Sequence, residues 1–268
     1  MKKTTYRLAL IATTASLLFI NTNLFASEMD NRIESSAKQS YVFKVYLTND
    51  DIQVQSKDGA VTLTGTVAED SYKLLAEDTI ASLPGVKSFD NQLQVRSALP
   101  VLSADEWLRA KVTFALMFYR SLSATDIEVL AKNGEVTLRG EATSTAQKDL
   151  ATEYTKDMDG VNAVKNEMTV APAAKKPGEK TISERIYAMS GSIDDASITA
   201  LVKTTLLYHR STSALKTTVE TKEGVVKLGG KASNVSEKEL ATKYVADVHG
   251  VKMVVNHMTV EGPPSKRL

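Results

Sequence analysis

The spacing of apolar and polar positions along this chain changes in the same way in three successive stretches. Each opens at helical spacing: Ile33 and Ala37, Leu108 and Val112, Ile198 and Val202 lie one turn apart on one face. This predicts an opening helix of about four turns, as over Ala104–Arg120 and Ala196–Tyr208. The spacing then drops to alternation, with Ile52 and Val54, then Ile127 and Val129, on one side of a strand; the third stretch departs, with Thr217 and Val219. A turn follows at Asp58-Gly59, Asn133-Gly134 and Glu223-Gly224. The first two are strong hairpin signals, because a primed turn needs positive φ; Glu enters that region reluctantly, so the third is weaker. A second strand carries Val61 and Leu63 inward and stops at Gly65. A second helix is expected around Lys73-Leu74-Leu75-Ala76, closed by Gly85-Val86 as a left-handed cap requires. The last strand alternates Asn91, Leu93 and Val95.

The stretches are repeats. DGAVTLTGTV (58–67) returns as NGEVTLRGEA (133–142) and EGVVKLGGKA (223–232), and LPGVKSFDNQLQV (83–95) as MDGVNAVKNEMTV (158–170) and VHGVKMVVNHMTV (248–260). The offsets hold at 75 and then 90 residues, and eleven positions are identical in all three copies. Repeats two and three agree at 18 of 37 positions from Gly134 to Val170, far beyond chance. The expected fold class is α+β: three tandem small two-layer domains, each helix-strand-strand-helix-strand, with two helices packed on a three-stranded sheet. If the third strand pairs in parallel, its crossover is right-handed. The boundaries read as domain 1 at 28–97, domain 2 at 103–171, a linker with a short helix at 172–193, domain 3 at 194–261 and a tail at 262–268. The short Ser97–Leu102 joint and the Pro-Ala-Lys start of the longer linker predict a constrained pair of repeats one and two, with repeat three on a looser tether.

Residues 1–26, MKKTTYRLALIATTASLLFINTNLFA, read as a signal peptide. Lys2, Lys3 and Arg7 precede a short apolar core, with cleavage expected near Ala26; an uncleaved anchor is the alternative. Export and the absence of cysteine fit a periplasm, where no ATP is available. The lack of cysteine also excludes a disulfide framework, a thiolate metal cluster and a lipidated N-terminal cysteine. Three histidines and a net charge of +1 leave little for a metal hydrolase or a nucleic-acid binder.

The hairpin with Gly59, Val61, Leu63 and Gly65, the Leu75-Ala76 helix, the Gly85-Val86 corner and the Asn91 strand, all recurring twice more, resemble the BON domain (bacterial OsmY and nodulation). The resemblance covers about 200 residues and is closest to the soluble, OsmY-like branch. It implies a periplasmic or cell-envelope protein linked to osmotic or envelope stress, and phospholipid binding.

No enzyme motif is present: no G-x-S-x-G, H-E-x-x-H or P-loop. His249 and His257 correspond to Asp159 and Glu167 in repeat two, which excludes a shared catalytic role. No cofactor and no metal are expected. Gly59, Gly134 and Gly224 should serve the turn, and Gly85, Gly160 and Gly250 the helix cap; Gly65, Gly140 and Gly230 should allow a bend or close approach. Asn91, Asn166 and Asn256 should satisfy neighbouring backbone groups.

One feature exceeds the repeat. The first helix of repeat two carries Trp107, Phe114, Met117 and Phe118 on a second face, where repeat one has Arg32, Gln39, Val42 and Phe43 and repeat three has Ser197, Thr204, Leu207 and Tyr208. Lys111 and Arg120 flank this face. Exposed together, these residues would form an apolar patch for an anionic phospholipid surface or an envelope protein partner; packing against repeat one is the third possibility. Burial of two or three such side chains supplies only about 4–8 kcal/mol before orientation costs. Contact would then be weak and reversible. The first two repeats are acidic and the third mildly basic, so Lys203 and Arg210 are candidates for auxiliary charge. The expected function is a non-enzymatic periplasmic envelope and osmotic-stress protein that touches anionic phospholipid; the alternative is a periplasmic protein–protein interaction scaffold.

Overall fold

A computed structural model describes residues 20–96, 103–122, 127–170, 193–212 and 216–261. Residues 1–19 of the expected leader, Ser97–Leu102, the linker over 171–192 and the tail from 262 onward lie outside the described residues. Repeat one comprises α1 (Ile20–Gln39), α2 (Tyr41–Val45), β1 (Asp51–Lys57), β2 (Ala60–Val67), α3 (Asp70–Ala81), β3 (Ser88–Asn91) and β4 (Gln94–Val95). Repeat two comprises α4 (Ala104–Leu116), β5 (Glu128–Lys132), β6 (Glu135–Arg139), β7 (Glu141–Ala142), α5 (Thr145–Lys156), β8 (Ala163–Asn166) and β9 (Thr169–Val170). Repeat three comprises α6 (Asp195–Tyr208), β10 (Thr217–Lys222), β11 (Val225–Ala232), α7 (Val235–Ala246), β12 (Met253–Asn256) and β13 (Thr259–Val260).

Each repeat is the expected two-layer α+β unit. The hairpin strands are antiparallel, with Val54 opposite Leu63, Val129 opposite Leu138 and Val219 opposite Leu228. The middle strand also pairs in parallel with the strand after the second helix. Val61, Leu63, Val136, Leu138, Val226 and Leu228 are buried beneath the helices. The last strand is split in every repeat, and an asparagine divides it. Asn166 Nδ2 donates to the Lys148 carbonyl at 2.9 Å while its Oδ1 accepts from Met168 N at 2.9 Å; Asn91 and Asn256 do the same. The side chain thereby ties the break in the strand to the second helix and satisfies the amide that follows it.

Turn geometry follows the pairing. Asp58, Asn133 and Glu223 all sit at positive φ, 53°, 51° and 54°, each followed by a glycine in the same region. What holds even Glu223 there is an aspartate on the opening helix. Asp195 accepts from Glu223 N at 2.7 Å and Gly224 N at 2.9 Å. Asp30 and Asp105 hold the other two turns in the same way.

The repeats pack helix against helix and turn their sheets outward. α3 of repeat one lies along α6 of repeat three. Tyr41 N donates to Asp194 Oδ2 at 2.8 Å, and Val42 N to Ser197 Oγ at 3.1 Å. Eleven of the fourteen residues of α6 are buried, because this helix is covered by two repeats rather than one. Repeat three is therefore not loosely tethered. Linker composition measures the freedom of the connecting chain, and here the surfaces at its two ends decide the arrangement.

Repeats two and three meet in a joint with pseudo-twofold symmetry, its backbone contacts matched at the 90-residue offset. After α4, Tyr119 bridges Val248 beyond α7; after α6, His209 bridges Met158 beyond α5. Arg120 N donates to the Asp247 carbonyl at 2.8 Å and His249 N to the Phe118 carbonyl at 3.0 Å. Their counterparts are Arg210 N to the Asp157 carbonyl at 2.9 Å and Asp159 N to the Tyr208 carbonyl at 3.0 Å. Tyr154 donates its hydroxyl to Asp247 at 3.0 Å, and Tyr244 donates to Asp157 at 2.9 Å. At the centre, the Tyr119 hydroxyl bonds His209 Nε2, and the His209 ring stacks on Tyr244 at 4.1 Å.

Candidate functional site

The second face of α4 begins with a well-formed N-terminus. Ser103 Oγ accepts from Glu106 N at 3.3 Å, and Glu106 accepts from Ser103 N at 2.9 Å, a reciprocal capping box. This fixes where the helix starts and so which residues share each face. Leu108, Val112 and Ala115 point into repeat two, and all are buried.

The structure divides the aromatic face in two. Phe114 is 3% exposed and Phe118 0%. Phe114 lies 4.9 Å from the Tyr72 ring and 6.1 Å from Tyr46; Phe118 lies 5.4 Å from Tyr46 and 4.8 Å from Phe114. All four pairs are edge-to-face, the favoured aromatic geometry. This cluster closes the seam between repeats one and two, so Phe114 and Phe118 are not surface contact residues. Trp107 and Met117 remain, each 47% exposed.

The expected basic residues are also re-placed. Lys111 is only 5% exposed. Its ammonium donates to the Asp159 carbonyl at 2.8 Å and lies 4.9 Å from the Trp107 ring centre and 5.5 Å from that of Tyr208. Burial lowers its pKa, with the Asp159 carboxylate 3.5 Å away opposing the shift. It supports the indole from beneath instead of offering charge to solvent. Arg120 donates to the carbonyls of Ala246 at 3.1 Å and Val251 at 3.4 Å. Arg210 donates to those of Lys156 and, at 2.8 Å, Val161. Lys203 pairs with Asp78 of repeat one at 3.2 Å. The three flanking or auxiliary cations therefore lie at seams between repeats, where backbone carbonyls or a carboxylate already engage them. The nine glycines Gly59, Gly65, Gly85, Gly134, Gly140, Gly160, Gly224, Gly230 and Gly250 all have positive φ.

Sequence reasoning missed two sets of residues. The turn-holding aspartates recur at the repeat offsets, Asp30, Asp105 and Asp195. The joint residues carry a different signal: Tyr154 and Asp157 recur as Tyr244 and Asp247, but repeat one has Thr79 and Ser82 there. Identity confined to two repeats of three marks a role that those two share.

The BON domain model matches residues 29–97, 104–172 and 194–262. The chain belongs to the BON family. Its BON repeats resemble Osmotically-inducible protein Y of Escherichia coli, 30% identical over 154 residues, which span 58% of this chain and 71% of that protein. They also resemble the 21 kDa hemolysin of Actinobacillus pleuropneumoniae, at 31% over 115 residues, and the Outer membrane lipoprotein DolP of Haemophilus influenzae, at 30% over 115 residues. Each of these two alignments spans 42% of this chain and 59% of the relative. No helix among the described residues is long and apolar enough to cross a membrane.

Proposed function

We propose that this BON protein is a non-enzymatic component of the periplasmic cell envelope, active under osmotic stress, that makes weak reversible contact with anionic phospholipid through Trp107 and Met117. The observation that carries this reading is the half-exposed indole on α4. The fold does not require it, since the equivalent positions are Arg32 and Ser197. A large aromatic held at a helix surface by a buried ammonium suits the boundary between headgroup and acyl chain. Similarity to Osmotically-inducible protein Y and to an outer membrane lipoprotein supports the envelope setting. With Phe114 and Phe118 internal, burying the rest of Trp107 and Met117 contributes about 2–3 kcal/mol. Contact of that size is transient unless many copies or a second site reinforce it.

Liposome flotation tests the reading. The protein should float with vesicles containing anionic phospholipid at low salt and stay down with neutral ones. Trp107→Ala and Met117→Ala should each reduce flotation without moving the denaturation midpoint. Unchanged flotation in both variants defeats the lipid assignment; recovery of binding only with envelope extract favours the protein-scaffold reading.

A further inference from the structure

We propose that the joint between repeats two and three is an acid-sensitive clasp, in which proton uptake at His249 loosens the grip of α4's C-terminal segment on the segment following α7. The geometry carries it. His249 is 8% exposed and is the point at which repeat three donates its backbone to repeat two, His249 N to the Phe118 carbonyl at 3.0 Å. The same loop is held on both sides by one arginine. Arg120 N bonds the Asp247 carbonyl, and the Arg120 guanidinium bonds the carbonyls of Ala246 and Val251. A proton on the His249 imidazole therefore puts a charge into a buried position of this loop, where Arg120 adds to the cost of holding it.

The surrounding charges set the balance. Burial is the main influence on His249 and lowers its pKa from 6.5; Arg120 acts in the same direction, and Asp247 opposes them. Asp247 is already occupied, accepting from Tyr154 at 3.0 Å and Ser121 Oγ at 2.7 Å. Around the rest of the joint stand Lys111, Tyr119, Glu153, Asp157 and Asp159 of repeat two and His209, Arg210, Lys243 and Tyr244 of repeat three. The position matching His249 on the other half is Asp159, so the two halves of the joint differ in their response to acid.

Because His249 is harder to protonate in the closed joint, the open form takes the proton first. Closure is fully stable above the ordinary histidine value and weakens as pH falls below it, until the lowered value is reached. Asp157 acts in a more acidic window. Burial pushes its carboxyl up, but hydrogen bonds involving His209, Ser211 and Tyr244 outweigh this and hold it below 3.8.

Hydrogen exchange on the full chain tests the clasp. The amides of Arg120 and His249 are compared with Arg210 and Asp159 on the other half, and with Leu63 and Leu138 inside the sheets, all corrected for intrinsic rates. Opening at Arg120 and His249 should rise about threefold or more between about pH 7 and about pH 5, under a ceiling of about tenfold per pH unit for one proton taken up. Sheet amides should not follow. His249→Gln should flatten the response. In the unmodified protein, the His249 imidazole should titrate below the ordinary value of about 6.5. The clasp is overturned if joint and sheet amides respond alike, if His249→Gln keeps the acid response, or if the imidazole titrates at or above the ordinary value.

Discussion

At the scale of single residues, position 65 and its counterpart 230 show how little freedom the hairpin leaves. A Cβ at Gly65 would stand 1.9 Å from the Asp51 carbonyl oxygen, and one at Gly230 1.9 Å from that of Lys216. With φ at 114° and 100° the backbone itself disfavours any L side chain. Gly65→Ala or Gly230→Ala should cost about 2–4 kcal/mol, read as a lower denaturant midpoint. The α4 aromatics separate by the same measurement. Phe114→Ala should cost about 3–5 kcal/mol because it empties a packed seam, whereas Trp107→Ala should stay within about 0.5 kcal/mol of the parent. Sequence could place these side chains on one helix face, since spacing fixes direction. It could not say that Tyr46 and Tyr72, from a different repeat, cover half of that face. Lys111 was misjudged for a related reason: its aliphatic stem lets it bury while its ammonium finds a carbonyl.

At the scale of elements, the order of helices, hairpin and crossover in each repeat was legible. Helix spacing, strand alternation, turn glycines and caps all point to the same fold, and the structure follows them. The Glu223-Gly224 turn, weak by local preference, forms because Asp195 supplies two acceptors from outside the hairpin. Asp195→Ala should therefore cost about 1–2 kcal/mol and speed exchange at the Glu223 and Gly224 amides. Asp30 shows the same device under pH control. The Ser56 hydroxyl is the largest influence lowering its pKa, followed by the Gly59 amide. A lowered carboxylate value means support that is present above pH 3.8 and is lost as pH falls through the lowered value. Protection of the Asp58 and Gly59 amides should fade in that acid range. The short helix α2 had no such pattern behind it. It exists because Ser40 donates to the Ala37 carbonyl at 2.7 Å and accepts from Phe43 N at 3.4 Å, restarting the helix after a break.

At the scale of the whole molecule, the arrangement of repeats was not legible from linkers. Helix α6 held the clue: Asp195 and Lys203 are its only charged residues, so little of its surface suits solvent, and one small sheet cannot cover the rest. The seams also gather ionisable groups that the repeats alone do not need. Asp78 is an example: burial raises its pKa, and Lys203 across the seam opposes the rise. Lys203→Ala should raise the Asp78 pKa further, visible as a carboxyl titration displaced to higher pH. At the other seam, Tyr154→Phe removes one donor from Asp247 and should cost about 1–3 kcal/mol, measured by denaturation.

The matched halves of that second seam carry a hazard. Each half is nearly its own complement, so a repeat deprived of its mate can adopt another copy of itself, Tyr119 against Tyr119 or His209 against His209. Continuity of the chain between the two repeats keeps the rightful mate at high local concentration and suppresses such homotypic pairing. Proteolytic separation of the two would release that latent stickiness, and the fragments would sort into like-with-like dimers as well as the original couple.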